Sequence, residues 1–231
     1  MKKERAVTLN FVKPWQSYYK EYAISTILNN TTIDKGNILV GVANITFEDC
    51  TIQSMNAVNI TRGEPYRLIL KNCTIIDYEK IIGIENCVIK NCTFVKPVPL
   101  VCPEDGEFVA YKKCYVYSHL LNINNSAYCI VKLLIPADAK RSSGFRRKCR
   151  CSKARVLGIY DLDGAEIEYI DKAYSHHFVY KIGENVFSDR LVYKVGEEVY
   201  PDSFDENRYN ECSYGIHFFM TFEEAAAYDF T

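Results

Sequence analysis

The sequence predicts a mainly β protein with a small α component: an irregular β-solenoid-like N-terminal module followed by an α+β C-terminal domain. Three observations carry this. A short cysteine-containing motif recurs through the first hundred residues. A proline-rich stretch, Lys96-Pro-Val-Pro-Leu-Val-Cys-Pro103, then interrupts the pattern, and short alternating runs with one capped helix fill the remainder. The 231 residues suit one large domain or two small ones. With 48% hydrophobic residues, 25% charged residues and a net charge of −1, the composition excludes wholesale disorder. No apolar run approaches the roughly 20 residues needed to span a bilayer, and Met1 to Phe11 lacks the apolar core of a secretory signal. The expected setting is therefore cytoplasmic.

Residues 1–29 are expected to cap the module. Within them Trp15 to Leu28 reads as a short helix or edge strand, the kind of element that covers an exposed solenoid end. Residues 30–98 are the repeat module. Four segments share one pattern: Phe47-Glu-Asp-Cys50-Thr-Ile52, Leu70-Lys-Asn-Cys73-Thr-Ile75, Ile84-Glu-Asn-Cys87-Val-Ile89 and Ile89-Lys-Asn-Cys92-Thr-Phe94. Their cysteines are 23, 14 and 5 residues apart. The last step is that of pentapeptide-type coils and the first is near one solenoid turn. Small Cys and bulky Ile or Phe would stack inward while Asn and Thr serve turns and outer face. A β-sandwich is the rival architecture.

The ten cysteines follow the same logic. Without an export signal they are expected to be reduced. Thiols pack as small hydrophobes, and a ladder spreads them along an axis rather than converging them on a metal. The Asn-x-Thr/Ser triplets at Asn29, Asn30, Asn44, Asn59, Asn72, Asn91 and Asn124 reflect the repeat, not glycosylation.

From residue 107 to 231 the pattern changes. Strands are expected at Phe108 to Tyr117, Tyr128 to Ile135, Arg155 to Tyr160 and Ala165 to Ile170, the last two joined by a turn at Asp161-Leu-Asp-Gly164. Val179 to Asp189 and Val192 to Asp202 repeat at a period of 13, with seven of eleven positions identical, each reading strand, Gly turn, strand. Ile216 to Met220 is a buried-strand signature. Thr221 and Glu224 then form a capping box before an Ala-rich helix.

Tyr111-Lys-Lys113, Ile135-Pro-Ala-Asp-Ala-Lys-Arg141, Lys148-Cys-Arg-Cys-Ser-Lys-Ala-Arg-Val156 and the stretch from Cys212 to Ala225 resemble an uncharacterised domain of bacteriophage and giant-virus proteins that often accompanies pentapeptide-like repeats. The resemblance covers about residues 107–231. It implies viral origin and an accessory role, and brings no established activity with it. This chain departs from that arrangement in its sparse, irregular repeats.

Candidate chemistry concentrates in one run. Lys140, Arg141, Arg146, Arg147, Lys148, Arg150, Lys153 and Arg155 fall within sixteen residues that hold no acid. Such a run suits phosphates of nucleotide or nucleic acid. However, residues 184–229 carry eleven acids against three bases, so carboxylates of this chain or of a partner protein are the favoured counter-charges. His176, His217 and Cys212 are a candidate ligand pocket. Cys149-x-Cys151 lacks the spacing of a zinc knuckle, and neither metal nor cofactor is expected. The order of Tyr193-Lys-Val-Gly196, Pro201-Asp-Ser-Phe204, apolar strand and Ala-rich helix is loosely similar to small ADP-ribosyltransferase folds, which keeps a weak enzymatic alternative open. No catalytic residue is identified. The favoured function is a non-enzymatic phage or other viral accessory protein that binds and inhibits a host protein, with a defence component as candidate, in the host cytoplasm. Phosphate, nucleotide or nucleic-acid binding is the alternative, and a homodimer through an open strand edge is a further expectation.

Overall fold

The computed structural model describes residues 8–9, 24–34, 36–38, 43–56, 68–116, 127–175, 180–182, 185–187 and 191–229. The described residues are mainly β, with one short α-helix among them, and the chain divides into two compact units: residues 1–99 with 209–212, and residues 100–208 with 213–231.

Every strand pairing among the described residues of the first unit is parallel. Ile24–Asn29, Ala43–Glu48, Leu68–Lys71 and Val88–Lys90 form one four-stranded sheet, and Thr32–Ile33, Thr51–Ile52, Thr74–Ile75 and Thr93–Phe94 a second. Thr8–Leu9, Gly36–Ile38, Met55–Asn56 and Ile81–Ile82 form a third. The register partners Leu28, Phe47, Leu70 and Ile89 are 19, 23 and 19 residues apart. Strand alternation turns Ile45, Phe47, Leu68, Leu70 and Ile89 inward, and Ile33, Ile52 and Ile75 stack beside them.

Each passage from the first sheet to the second turns on an Asn or Asp in the left-handed region: Asn30, Asp49, Asn72 and Asn91, with φ of 51°, 53°, 53° and 50°. These side chains tolerate that conformation better than other non-glycine residues. The following thiol turns in. Cys50 donates to the Leu28 carbonyl, Cys73 to that of Phe47 and Cys92 to that of Leu70, each at 3.3 Å. Three of the expected motif copies thus occupy equivalent corners, and the copy at Ile84–Ile89 does not. Gly83, at φ 84°, opens a 3-10 turn over Ile84–Asn86 there, and Cys87 N–H closes it on Ile84. A step of five residues is too short for the full coil that separates equivalent corners. The fourth true corner is Leu28-Asn-Asn30-Thr31-Thr-Ile33, where Thr31 stands in the cysteine position. Accordingly Ile24–Asn29, expected within a cap, is a strand of the stack; residues 10–23 lie outside the described residues.

Tyr209–Cys212 completes this unit. The Asn210 side-chain oxygen accepts the Ile89 N–H at 3.1 Å, and the Tyr209 ring lies 4.3 Å from that of Phe94. Ile89 and Phe94 belong to the last strands of their sheets, so the segment covers a backbone donor that a further strand would otherwise take.

The second unit is built on a six-stranded antiparallel sheet in the order Val192–Lys194, Lys172–Tyr174, Phe108–Val116, Ala127–Ile135, Ala154–Tyr160, Glu198–Val199. Its two edge strands are consecutive in the chain, joined by a turn whose Gly196 has φ 85°. That short link draws the edges together and curls the sheet around Ala110, Cys114, Cys129, Val131, Leu133, Val156 and Tyr193, all fully buried or nearly so. The second copy of the 13-residue duplication thus pairs with two different strands, whereas in the first copy Tyr180–Ile182 pairs with Asn185–Phe187. Ala165–Ile170, expected as a strand, makes only a single bridge, Glu166 with Tyr160. The Asp161 carboxylate accepts the N–H groups of Asp163 and Ala165, as the turn chemistry predicts.

A three-stranded sheet, Arg141–Ser143, Cys149–Cys151 and Ile216–Phe218, joins the larger one through reciprocal bonds between Tyr111 and Phe219. The helix Phe222–Ala227 forms with the capping box intact, Thr221 Oγ1 accepting from Glu224 N–H and the Glu224 carboxylate from Thr221 N–H. It buries Ala225 against Ile130 and Phe219. Lys113 donates to the Ala226 and Tyr228 carbonyls at 2.9 Å, satisfying acceptors at the helix C-terminus. No described helix is long and apolar enough to cross a membrane.

Candidate functional site: a basic strand pair beside a cavity

The basic run folds as the hairpin-like pair Arg141–Ser143 and Cys149–Cys151, with Ser142 opposite Arg150 and Ser143 opposite Cys149. Its eight cations have different fates. Arg141 spends all five N–H groups on backbone: Nε on Ala139, Nη1 on Pro103 and Gly106, Nη2 on Pro136 and Ala137. Arg150 is 1% exposed and donates to the carbonyls of Asp205, Tyr214 and Asn207 at 2.7–2.9 Å. Both hold loops in place. Lys140 pairs with Glu206, Arg147 with Glu224, and Lys153 with Asp138 at 2.6 Å. The Lys153 hydrogen bond draws the Asp138 carboxyl below its ordinary value, and the Glu224 hydrogen bond raises Arg147. These pairs are largely solvent-exposed, where such contacts contribute little stability. Lys148 lies over the Tyr228 ring, 5.8 Å from its centre, while Arg146 and Arg155 are exposed.

A cavity of about 530 Å³ opens beside this pair, within the size range of small-ligand sites. Cys102, Arg141, Ser142, Ser143, Phe204 and Arg208 line it. The Ser142 hydroxyl, 6% exposed as a residue, is buried with no hydrogen-bond partner. Like Cys92 in the first unit, Cys102 has a lowered thiol pKa. A hydrogen bond from Cys149 lowers its thiol to about 7 against the opposing effect of burial, and the Arg141 charge and Ser143 assist. In the same pair the Cys149 thiol is raised. Burial pushes Cys114 and Cys151 up to about 12, which makes them inert.

His217 is half-buried opposite Arg150, and its carbonyl accepts from Lys112 Nζ at 3.0 Å. Cys212 is exposed and belongs to the first unit. His176 lies outside the described residues. Among the described residues no group of three or more His, Cys, Asp or Glu is placed to hold a metal. Sequence reasoning missed Cys102, which stood inside the proline-rich stretch read as a linker, and Ser142, which the cations around it overshadowed.

Comparison with known proteins adds one relationship. The model of a family of unknown function, DUF5758, matches residues 98–191 and 186–225. No curated protein and no solved structure matches the chain.

Proposed function

The chain belongs to the DUF5758 family of unknown function, and we propose that it is a non-enzymatic viral accessory protein that binds and inhibits a host protein in the host cytoplasm, a defence component being the candidate target. Its first unit serves as a β-solenoid, the binding platform. One observation carries this reading: parallel, in-register stacking sets Thr32, Thr51, Thr74 and Thr93 in one column beside the buried Ile33, Ile52 and Ile75. On the neighbouring sheet Ile27, Thr46, Ile69 and Val88 form a second column. Rigid columns of this kind present a repeated surface without ordering loops on binding. The resemblance of residues 107–231 to a domain of phage and giant-virus proteins supports the viral role. The basic run supports phosphate binding less well, because Arg141 and Arg150 hold backbone and three further cations hold carboxylates.

The test is stoichiometric co-purification of a host protein with the intact chain from infected or expressing host cells. Replacing Thr51 and Thr74 with Arg is expected to abolish the partner while circular dichroism and melting stay those of the folded protein. Co-purification of metabolites alone, or a partner retained by the double variant, sinks the reading.

A further inference from the structure

We infer that the open edge of Arg141–Ser143 is a slot for an extended peptide, which docks there as a further strand. Among the described strands Arg141–Ser143 is the outer one of its sheet, with Cys149–Cys151 on one side and no strand on the other. The register shows which groups face out. Ser152 N–H donates to the Lys140 carbonyl at 2.9 Å, one step before the pair Arg141 and Cys151. Antiparallel pairs alternate between bonded and non-bonded. Ser142 therefore bonds inward to Arg150, while Arg141 and Ser143 turn their N–H and C=O groups to the open edge. The Ser143 carbonyl follows this direction and accepts from Arg208 Nε at 2.8 Å. Arg141 N–H, Arg141 C=O and Ser143 N–H have no partner among the described residues. They make a row of donors and an acceptor that the backbone of another strand matches.

The edge is recessed. One wall is the segment after Pro99, tied to the strand by Val101 N–H on Ser143 Oγ at 3.0 Å and by Arg141 Nη1 on the Pro103 carbonyl at 3.5 Å. The other is the segment from Phe204 to Arg208. Arg150, opposite Ser142 and on the same face, holds it through the Asp205 and Asn207 carbonyls. The cavity of about 530 Å³ is lined by both segments and by the strand itself. Ser142 and Ser143 are buried although they stand at a sheet edge. A second folded copy, whose own edge is equally sunk, does not reach them; a free extended segment does. The walls set what that segment carries. In an antiparallel strand the residue opposite Ser142 turns its side chain toward Phe204 and the buried Ser142 hydroxyl, which has no partner. Threonine there offers a methyl to the ring and a hydroxyl to the serine. The residues on either side turn toward Leu100 and Pro103 and suit apolar side chains. Charge contributes less, because Arg141 is spent on backbone and Lys140 on Glu206. The slot belongs to the second unit and is separate from the threonine columns of the first.

The probe is the peptide acetyl-Lys-Val-Thr-Val-Lys-amide, added to the full-length protein while amide hydrogen exchange is followed by NMR. In the free protein the N–H groups of Arg141 and Ser143 are expected to exchange faster than that of Ser142, which the sheet protects. With the peptide at about ten times its dissociation constant, exchange at Arg141 and Ser143 is expected to slow about tenfold while Ser142 is unchanged. The same peptide methylated on both valine nitrogens keeps its side chains and loses the donors that face the edge. It is expected neither to bind nor to protect. Because that change is made on the peptide, the fold of the protein is not at stake. No slowing at Arg141 and Ser143 with millimolar peptide overturns the proposal, and so does equal binding of the methylated peptide. Protection of both amides without peptide overturns it too, a mass of two chains by light scattering then assigning the edge to a second copy.

Discussion

Arg150 shows how a cation is spent when it is buried. Three carbonyls from residues 205–214 converge on its guanidinium, and the Phe204 ring lies 5.6 Å away. Lysine has the charge but not the planar fork, so Arg150→Lys is expected to leave at least one carbonyl unmet. A loss of about 2 kcal/mol in urea unfolding is the expected size; a change within error would make the contacts incidental. Lys112 is the opposite case. Its position faces inward between the core residues Ala110 and Cys114, and burial lowers its pKa from the ordinary 10.5. The unfolded chain therefore holds that proton at pH values where the folded chain has released it, so stability rises with pH from the folded pKa up to 10.5. Lys112→Met is expected to raise the melting temperature near neutrality and remove that alkaline rise. Melts from pH 7 to 10.5 decide, and an unchanged slope would refute the assignment. The basic run was plain in the sequence, but its division into buried and exposed members was not. Burial of Arg150 depends on carbonyls more than fifty residues away. Lys112 was no more legible: it stands beside Lys113 in Phe108–Val116, and only the packing of the strand shows which lysine faces the core.

At the scale of elements the repeating corner decides the first unit. Asn72 has φ 53°, whereas Asn86, in the same place of an almost identical motif, sits in a 3-10 turn and is absent from the residues with positive φ. A β-branched side chain is penalised in the left-handed region by about 1–2 kcal/mol. Asn72→Val is therefore expected to destabilise by that amount and Asn72→Gly by little, while Asn86→Val costs less than Asn72→Val. Thermal denaturation of the three variants compares them, and equal losses at Asn72 and Asn86 would contradict the register. The motif itself was readable from residue types. Its phase was not, because Thr31 replaces the cysteine in the first copy and Cys87 supplies a decoy just five residues before Cys92. Only pairing across strands tells a corner from an insertion.

At the scale of the whole molecule, the two units part after Pro99, and the chain later returns Tyr209–Cys212 to the first unit. Nothing local marks that return: Arg208-Tyr-Asn-Glu-Cys212 reads as an ordinary polar loop, and its meaning lies in an N–H of Ile89 some 120 residues earlier. The core of the second unit is drawn from Cys102 to Val199 together with Ile216 and Phe218, all within its own boundaries. A fragment of residues 100–231 thus retains every member of that core, and is expected to give dispersed amide resonances in solution. Tyr209 to Cys212 should be the exception, with random-coil shifts, since Ile89 and Phe94 are gone. In the full chain Asn210→Ala removes the acceptor alone, and is expected to cost about 1 kcal/mol and to speed hydrogen exchange at Ile89 above all other amides of its strand. A fragment that is molten throughout would mean that the units depend on one another for their cores. Unchanged exchange at Ile89 in Asn210→Ala would mean that the returning segment does not close the last strand of the stack.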